Sequence, residues 1–267
     1  MVTRFAPAPT GYLHLGHVLN ALYVWGMARE AGGGVRLRIE DHDRQRCRPE
    51  FERAIVEDLA WLGFEADGPL VRQRERDPVY RTALARLSAL GLLYGCACTR
   101  AELQQVPPGP DGERRYPGTC RHRGLAPTDG VGWRIRFEPG EEPFEDRLCG
   151  PQVQDPAAQC GDLLIRDRLG NWTYQFAVVA DDIDQGVTDV IRGVDLLPST
   201  GRQIRLARLL GRAEPPRFAH HPLVMKSATE KLSKSDGDTG VRDLRAAGWS
   251  AADVLMQARG LVRLPLK

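Results

Sequence analysis

The chain has 267 residues, of which 42% are hydrophobic and 27% charged, enough for one large domain or one domain with an insertion and enough to bury a core. No apolar run approaches the roughly 20 residues that cross a bilayer. The opening Met1-Val2-Thr3-Arg4-Phe5-Ala6-Pro7 lacks the long apolar stretch of a secretory signal, so a cytoplasmic protein without a membrane partner is expected. A net charge of +2 neither demands nucleic acid nor excludes it, because a basic face fits inside a balanced total.

In chain order, Val2–Ala6 predicts a short strand that runs into Pro7-Ala8-Pro9-Thr10-Gly11, where prolines and a glycine stop it and shape a tight loop. Leu15, Val18, Leu19 and Leu22 then fall on one face of a helix that ends at Gly32-Gly33-Gly34. Val35–Ile39 alternates apolar residues with arginine and predicts a second strand, followed by helical patterns over Pro49–Leu62 and Pro78–Leu93. Strand, glycine-bearing loop, helix and strand in succession predict a parallel α/β sheet. From Tyr94 to Asp162 the rhythm breaks into Pro-, Gly- and Arg-rich sequence, which predicts an inserted subdomain. Strand character resumes at Leu163–Arg166 and a helix begins at Tyr174–Ala180. Val187–Ile191 is the next strand, and Ser199 or Thr200 is placed to cap a helix reaching Leu210. His220–Met225 is the expected last strand, followed by a polar lysine-bearing loop and a tail long enough for two short helices. The organisation expected is residues 1–93 and 163–235 as the two halves of one sheet domain, 94–162 as the insertion and 236–267 as a helical tail.

Two short elements carry chemistry. His14-Leu15-Gly16-His17 lies between the first strand and the first helix, where α/β sheets bind ligands and where a helix start offers free N–H groups to phosphate. Histidines three apart share one helix face and can donate to phosphate oxygens, while Gly16 leaves room for a flat base against the backbone. Two surface histidines, or a zinc pair, are the other readings of this spacing. There is no Gly-Lys-Ser/Thr pair, so the element is not a Walker loop. The second element is Lys231-Leu232-Ser233-Lys234-Ser235. The four lysines of this arginine-rich chain are Lys226, Lys231, Lys234 and Lys267, and such a cluster suits mobile point charges closing over a triphosphate.

The six cysteines are Cys47, Cys96, Cys98, Cys120, Cys149 and Cys160. In a cytosolic chain these predict no disulfide framework, and Cys96-Ala97-Cys98 with Cys120 predicts a metal site. His122 is the ordinary chemical choice for a fourth ligand.

Taken together, the histidine element and the lysine loop resemble the His-Ile-Gly-His and Lys-Met-Ser-Lys-Ser signatures of class I aminoacyl-tRNA synthetases, with Leu15 and Leu232 as mild changes. The closer resemblance is to the glutamyl branch, through Arg4-Phe5-Ala6-Pro7-Ala8-Pro9-Thr10-Gly11, Arg38-Ile39-Glu40-Asp41-His42-Asp43 and Ile191-Arg192-Gly193-Val194-Asp195-Leu196. Ala8 departs from the family's usual serine and removes one hydroxyl from the site. The short tail after the lysine loop, without an anticodon-binding domain, is similar to the truncated paralogue family, the glutamyl-Q tRNA(Asp) synthetases.

That resemblance implies a Rossmann-like catalytic domain with a zinc-containing insertion. It implies activation of L-glutamate by ATP, with Mg2+, and transfer of glutamate to queuosine at the first anticodon position of tRNA(Asp), by a monomer that takes the anticodon stem-loop as partner. His14, His17 and Lys234 are the implied catalytic residues, and His14, Gly16, His17, Lys231, Ser233 and Lys234 hold ATP. The glutamate contacts map onto Arg4, Phe5, Ala6, Pro7, Ala8, Glu40, Tyr174 and Arg192, whose two arginines and one glutamate match the ligand's charges in number. The implied zinc ligands are Cys96, Cys98, Tyr116 and Cys120, with Tyr116 preferred over His122 on resemblance. Asp41 and Asp43 are read as loop-structuring, Asp181 and Asp182 stay open, and Arg114, Arg115, Arg121, Arg123 and the Arg202–Arg212 helix are candidate phosphate contacts. An ordinary glutamyl-tRNA synthetase charging a 3′ end and an inactive nucleotide- or RNA-binding paralogue are the alternatives.

Overall fold

A computed structural model describes residues 1–42, 46–109, 112–224 and 240–261. Lys226, Lys231, Ser233, Lys234 and Asp43 lie outside the described residues. The chain divides into two compact units, the first made of Met1–Glu75, Val187–Leu197 and Pro216–Lys267, the second of Arg76–Gly186 and Pro198–Pro215. No helix among the described residues is long and apolar enough to cross a membrane.

The first unit opens with β1 (Val2–Phe5), α1 (Leu15–Glu30), β2 (Gly34–Ile39), α2 (Pro49–Trp61) and a short β3 (Val71–Arg72). β1 pairs with β2 and β2 with β3, all parallel, as the strand–helix–strand order requires. The second unit holds α3 (Asp77–Ala89), β4 (Leu93–Cys96), α4 (Arg100–Gln104), β5 (Gly132–Ile135), β6 (Glu142–Asp146), β7 (Gly150–Gln154), α5 (Pro156–Cys160), β8 (Leu163–Arg166) and α6 (Tyr174–Asp184). The chain then contributes β9 (Asp189–Gly193) to the first unit and α7 (Thr200–Leu209) to the second. It ends in the first unit with β10 (Arg217–His221), α8 (Val241–Ala246) and α9 (Ala251–Gly260). β9 and β10 are parallel, and Thr188 N donates to Val2 O at 2.8 Å, which sets β9 beside β1.

The core of the first unit surrounds α1, whose Val18, Leu19, Ala21, Leu22, Tyr23, Val24, Trp25, Met27 and Ala28 are all buried. The single apolar stripe expected for this helix is therefore too narrow, because sheet strands and α9 cover it on more than one side. Phe5 meets Trp25 at a ring distance of 5.3 Å, tying the strand before the histidine element to the helix after it. In the second unit β4, β5 and β8 form an antiparallel sheet inside the Pro- and Gly-rich stretch, where the sequence predicted no strands before Leu163.

Three boundaries move. The pattern over Pro78–Leu93 ends as helix at Ala89, since Leu90 caps it and Leu93 begins β4. The last strand runs Arg217–His221, not His220–Met225, because Pro222 follows and lacks an N–H for the ladder. Ser199 occupies the N-cap position of α7 with αR dihedrals and makes no side-chain cap; its hydroxyl accepts from Gln175 Nε2 at 2.9 Å instead.

Candidate active site

The loop from Ala6 to His14 leaves the carboxyl end of β1 and is pinned by backbone bonds. Glu40 N donates to Pro7 O at 3.1 Å, Arg48 N to Pro9 O at 3.1 Å and Thr10 N to Ala8 O at 2.9 Å. These bonds set Phe5, Ala6, Pro7 and Ala8 beside the end of β2. His14 is the N-cap of α1 rather than a residue on its face. Its Nδ1 accepts from Gly16 N at 3.1 Å, and His17 Nδ1 accepts from His14 N at 3.2 Å. The two rings lie 3.9 Å apart at their centroids. With Nδ1 of each ring accepting from a backbone N–H, the proton of the neutral imidazole sits on Nε2 in both. A Cβ on Gly16 would come 2.9 Å from the His14 ring, so glycine is required by the cap itself, in addition to any room it gives a ligand.

The described residues on either side of 225–239 rest on the same helix. On one side, Val241 N donates to Leu13 O at 2.8 Å and Gly240 bridges His14. On the other, His221 stacks on Tyr23 at 4.7 Å and places Nε2 3.1 Å from Asn20 Oδ1. The lysine loop itself lies outside the described residues, but both of its flanks reach the helix that carries the histidines.

The amino-acid candidates of the first unit converge at neighbouring strand ends. Arg4 on β1 is buried and donates through Nη1 to Ile191 O on β9 at 3.4 Å. Glu40 follows β2 and takes a 3.2 Å bond from Arg38 Nη2. Burial pushes the Glu40 carboxyl above the usual carboxylate range, against the charges of Arg38, Arg4 and His42. Arg192 on β9 is buried, donates through Nε to His220 Nε2 at 2.9 Å and through Nη2 to Leu196 O at 3.3 Å. Tyr174 opens α6 in the second unit. Asp41 accepts from Arg74 N at 2.8 Å, a loop-structuring contact, and Asp181 accepts from Tyr80 Oη at 2.9 Å and Arg76 Nε at 2.7 Å within the second unit.

Sequence reasoning gave Arg38 and His220 no role. Both carried a signal: an arginine two residues before a site glutamate, and a histidine within a predicted strand.

Three of the five cysteines in the second unit come together. Sγ atoms of Cys96, Cys98 and Cys120 lie within 4.8 Å of one another, with Cys98 and Cys120 at 3.7 Å. Tyr116 Oη is 3.4 Å from Cys96 Sγ and accepts from Cys120 N at 2.8 Å. Tetrahedral zinc with Zn–S of about 2.3 Å and Zn–O of about 2.0 Å separates two sulfurs by about 3.8 Å, and a sulfur from an oxygen by about 3.5 Å. The Cys98–Cys120 and Cys96–Tyr116 separations fit that figure. His122 is exposed and is not in the cluster. Burial pushes the Cys98 thiol up to about 11. At Cys120 burial works against ionisation, but hydrogen bonds from the Ala97 backbone, Cys98, Tyr116 and Arg123 outweigh it and bring the thiol down to about 7. Arg134 stacks 3.7 Å above the Tyr116 ring and donates to Asp162 O at 2.7 Å, holding the tyrosine in place.

The arginines proposed for phosphate are mostly engaged elsewhere. Arg202 is buried against Glu113, and Arg205 and Arg208 share Glu142. Arg121 reaches Glu138 at 2.5 Å and Arg115 donates to Ala157 O at 2.9 Å.

A parallel α/β unit with a capped histidine pair at its first helix and paired charges at its strand ends defines a nucleotide-using α/β enzyme. The family model for tRNA synthetases class I (E and Q), catalytic domain, matches residues 1–265, and the chain belongs to that family of ligases. Among its relatives, it is 49% identical over 241 residues to a glutamyl-Q tRNA(Asp) synthetase of Bordetella bronchiseptica, covering 88% of this chain and 75% of that one. It is 40% identical over 276 residues to another glutamyl-Q tRNA(Asp) synthetase, of Rhodobacter capsulatus, covering 95% of this chain and 98% of that one. A glutamate tRNA ligase of Elizabethkingia meningosepticum, solved with its amino acid, superposes with a TM-score of 0.76 at 30% identity. That match covers 93% of this chain and 53% of the ligase, so the chain spans about half the length of that solved protein.

Proposed function

We propose that this enzyme activates L-glutamate with ATP and transfers the glutamyl group to queuosine at the first anticodon position of tRNA(Asp). The observation that carries the activation step is the assembly around β1, β2, β9 and the start of α1: a histidine cap for phosphate beside Arg4, Glu40 and Arg192, a charge set that complements glutamate. The choice of acceptor is supported by two relatives named glutamyl-Q tRNA(Asp) synthetase, at 49% and 40% identity.

In the first step an oxygen of the glutamate α-carboxylate attacks the α-phosphorus of ATP. The bond from that phosphorus to the oxygen bridging to the β-phosphorus breaks, and pyrophosphate leaves with the electron pair. His14 and His17 hold their Nε2 protons toward the charge that develops, fixed in that tautomer by the backbone N–H groups of Gly16 and His14. The positive end of the α1 dipole acts in the same direction. Lys231, Ser233 and Lys234 are assigned to the departing pyrophosphate, whose charge magnesium, bound with ATP, would help to neutralise. Glu40 receives the substrate ammonium, while Arg4 and Arg192 take its carboxylates. In the second step a hydroxyl oxygen of the queuosine cyclopentene ring attacks the adenylate carbonyl. AMP departs with its oxygen, and the hydroxyl proton is lost. Cys96, Cys98, Tyr116 and Cys120 would hold zinc in a structural role, tying the ends of their loops together.

The test is incubation of the enzyme with radiolabelled glutamate, ATP and tRNA prepared with and without queuosine. Label confined to queuosine-containing tRNA, and located by mass spectrometry in the anticodon fragment of a nuclease digest, is the expected result. Label at the 3′ end would establish ordinary aminoacylation, and absence of glutamate-dependent ATP–pyrophosphate exchange would leave a nucleotide- or RNA-binding paralogue.

A further inference from the structure

Among the described residues Arg38 is the largest fully buried side chain, at 0% exposure, and it carries a charge. A cation sealed from water is costly unless an anion meets it. Arg38 and Glu40 are two residues apart at the end of β2, so an extended backbone sends their side chains to the same side. Arg38 Nη2 bonds Glu40 Oε1 at 3.2 Å, and among the described residues it is the one side chain bonded to that carboxylate. The exposures differ in the direction that matters: the Glu40 side chain is 9% exposed and Arg38 0%. A ligand arriving from solvent can touch Glu40 and cannot touch Arg38.

We infer that Arg38 is the positioning residue for amino-acid recognition: it grips one oxygen of the Glu40 carboxylate from the buried side and leaves the other to the ammonium of the substrate. This rests on the proposed glutamate site and adds to it a residue that acts without touching the ligand. Among the described residues, Arg38 and His42 from its own segment and Arg4 from β1 bring positive or titratable groups to Glu40. Arg4 also donates to Ile191 O on β9 and is assigned to a substrate carboxylate, whereas Arg38 bonds the Glu40 carboxylate directly. Burial raises the pKa of Glu40 and Arg38 opposes that rise. Glu40 binds an ammonium only as an anion. Removing Arg38 therefore raises the pH below which Glu40 is protonated, and glutamate binding is lost at the acid end first.

The experiment is glutamate-dependent ATP–pyrophosphate exchange across the pH range on the full chain, for wild type, Arg38→Met, Arg38→Lys and Glu40→Gln. Arg38→Met is expected to raise the KM for glutamate by roughly 10- to 100-fold with the KM for ATP unchanged. The acid limb of its kcat/KM profile for glutamate should move to higher pH. Arg38→Lys returns the charge and should bring the limb back toward wild type. Adding Arg38→Met to Glu40→Gln should cost little beyond Glu40→Gln alone, since the two act as one unit. If Arg38→Met does not fold, Arg38→Gln takes its place: uncharged but polar, it should show the same rise in the KM for glutamate and the same move of the acid limb to higher pH. An unmoved acid limb, or equal losses for glutamate and ATP, would overturn the role of Arg38 while leaving the glutamate site standing. A wild type inactive with glutamate would overturn both.

Discussion

Replacing His220 with leucine should weaken glutamate binding without touching ATP. Arg192 and His220 stand directly opposite each other in the parallel β9–β10 register, and Arg192 Nε donates to His220 Nε2 at 2.9 Å. Both are buried, at 4% and 1% exposure, so water does not replace a lost partner. His220 must therefore be neutral, with its proton on Nδ1. A hydrogen bond to a charged group is worth about 1.5–3 kcal/mol. At about 1.4 kcal/mol per tenfold, full expression in glutamate binding is a rise in KM of roughly 12- to 150-fold. His220→Gln restores a carbonyl acceptor within reach and should recover most of the loss. The assay is ATP–pyrophosphate exchange with glutamate varied at saturating ATP, then the reverse, alongside thermal melting. A leucine variant with wild-type glutamate KM, or with the KM for ATP rising equally, would refute the reasoning.

Cys98→Ser should reduce zinc measured by elemental analysis from about one per chain to a small fraction and lower the melting temperature; a metal-free wild type with the same melting would dispose of the site. Gly161→Ala should destabilise the second unit by on the order of 1–3 kcal/mol in chemical denaturation. Gly161 has φ of 68°, and an added Cβ would lie 2.3 Å from Tyr116 O, so the same variant should also loosen zinc retention by shifting that tyrosine. Lys234→Ala should cut the exchange rate by about 10²-fold or more with little change in glutamate affinity measured by calorimetry, as expected for a group acting in the transition state.

The sequence alone determined the α/β class, the order of β1, α1, β2 and α2, the two tail helices, the cysteine cluster and the family resemblance. These follow from local rules. Backbone geometry makes apolar spacing report helix or strand, prolines and glycines punctuate the chain, and Cys-x-Cys brings two thiolates near one another before any tertiary contact forms. It placed His14 on a helix face because spacing does not show which residue turns its ring back to cap the first turn. It offered Ser199 or Thr200 as a cap, and Ser199 takes the N-cap position with helical dihedrals and no side-chain cap bond; it missed β4 and β5 because Pro, Gly and Arg mask the alternation that the antiparallel sheet satisfies.

Only the tertiary structure decided which side chains meet. Arg192 and His220 are 28 residues apart and paired by strand register, Tyr116 reaches the cysteines across a loop, and Gly240 returns to His14 from the far end of the chain. Such pairings are set by burial and register between distant segments. A buried charge must find its partner there, and no local periodicity records which partner that is.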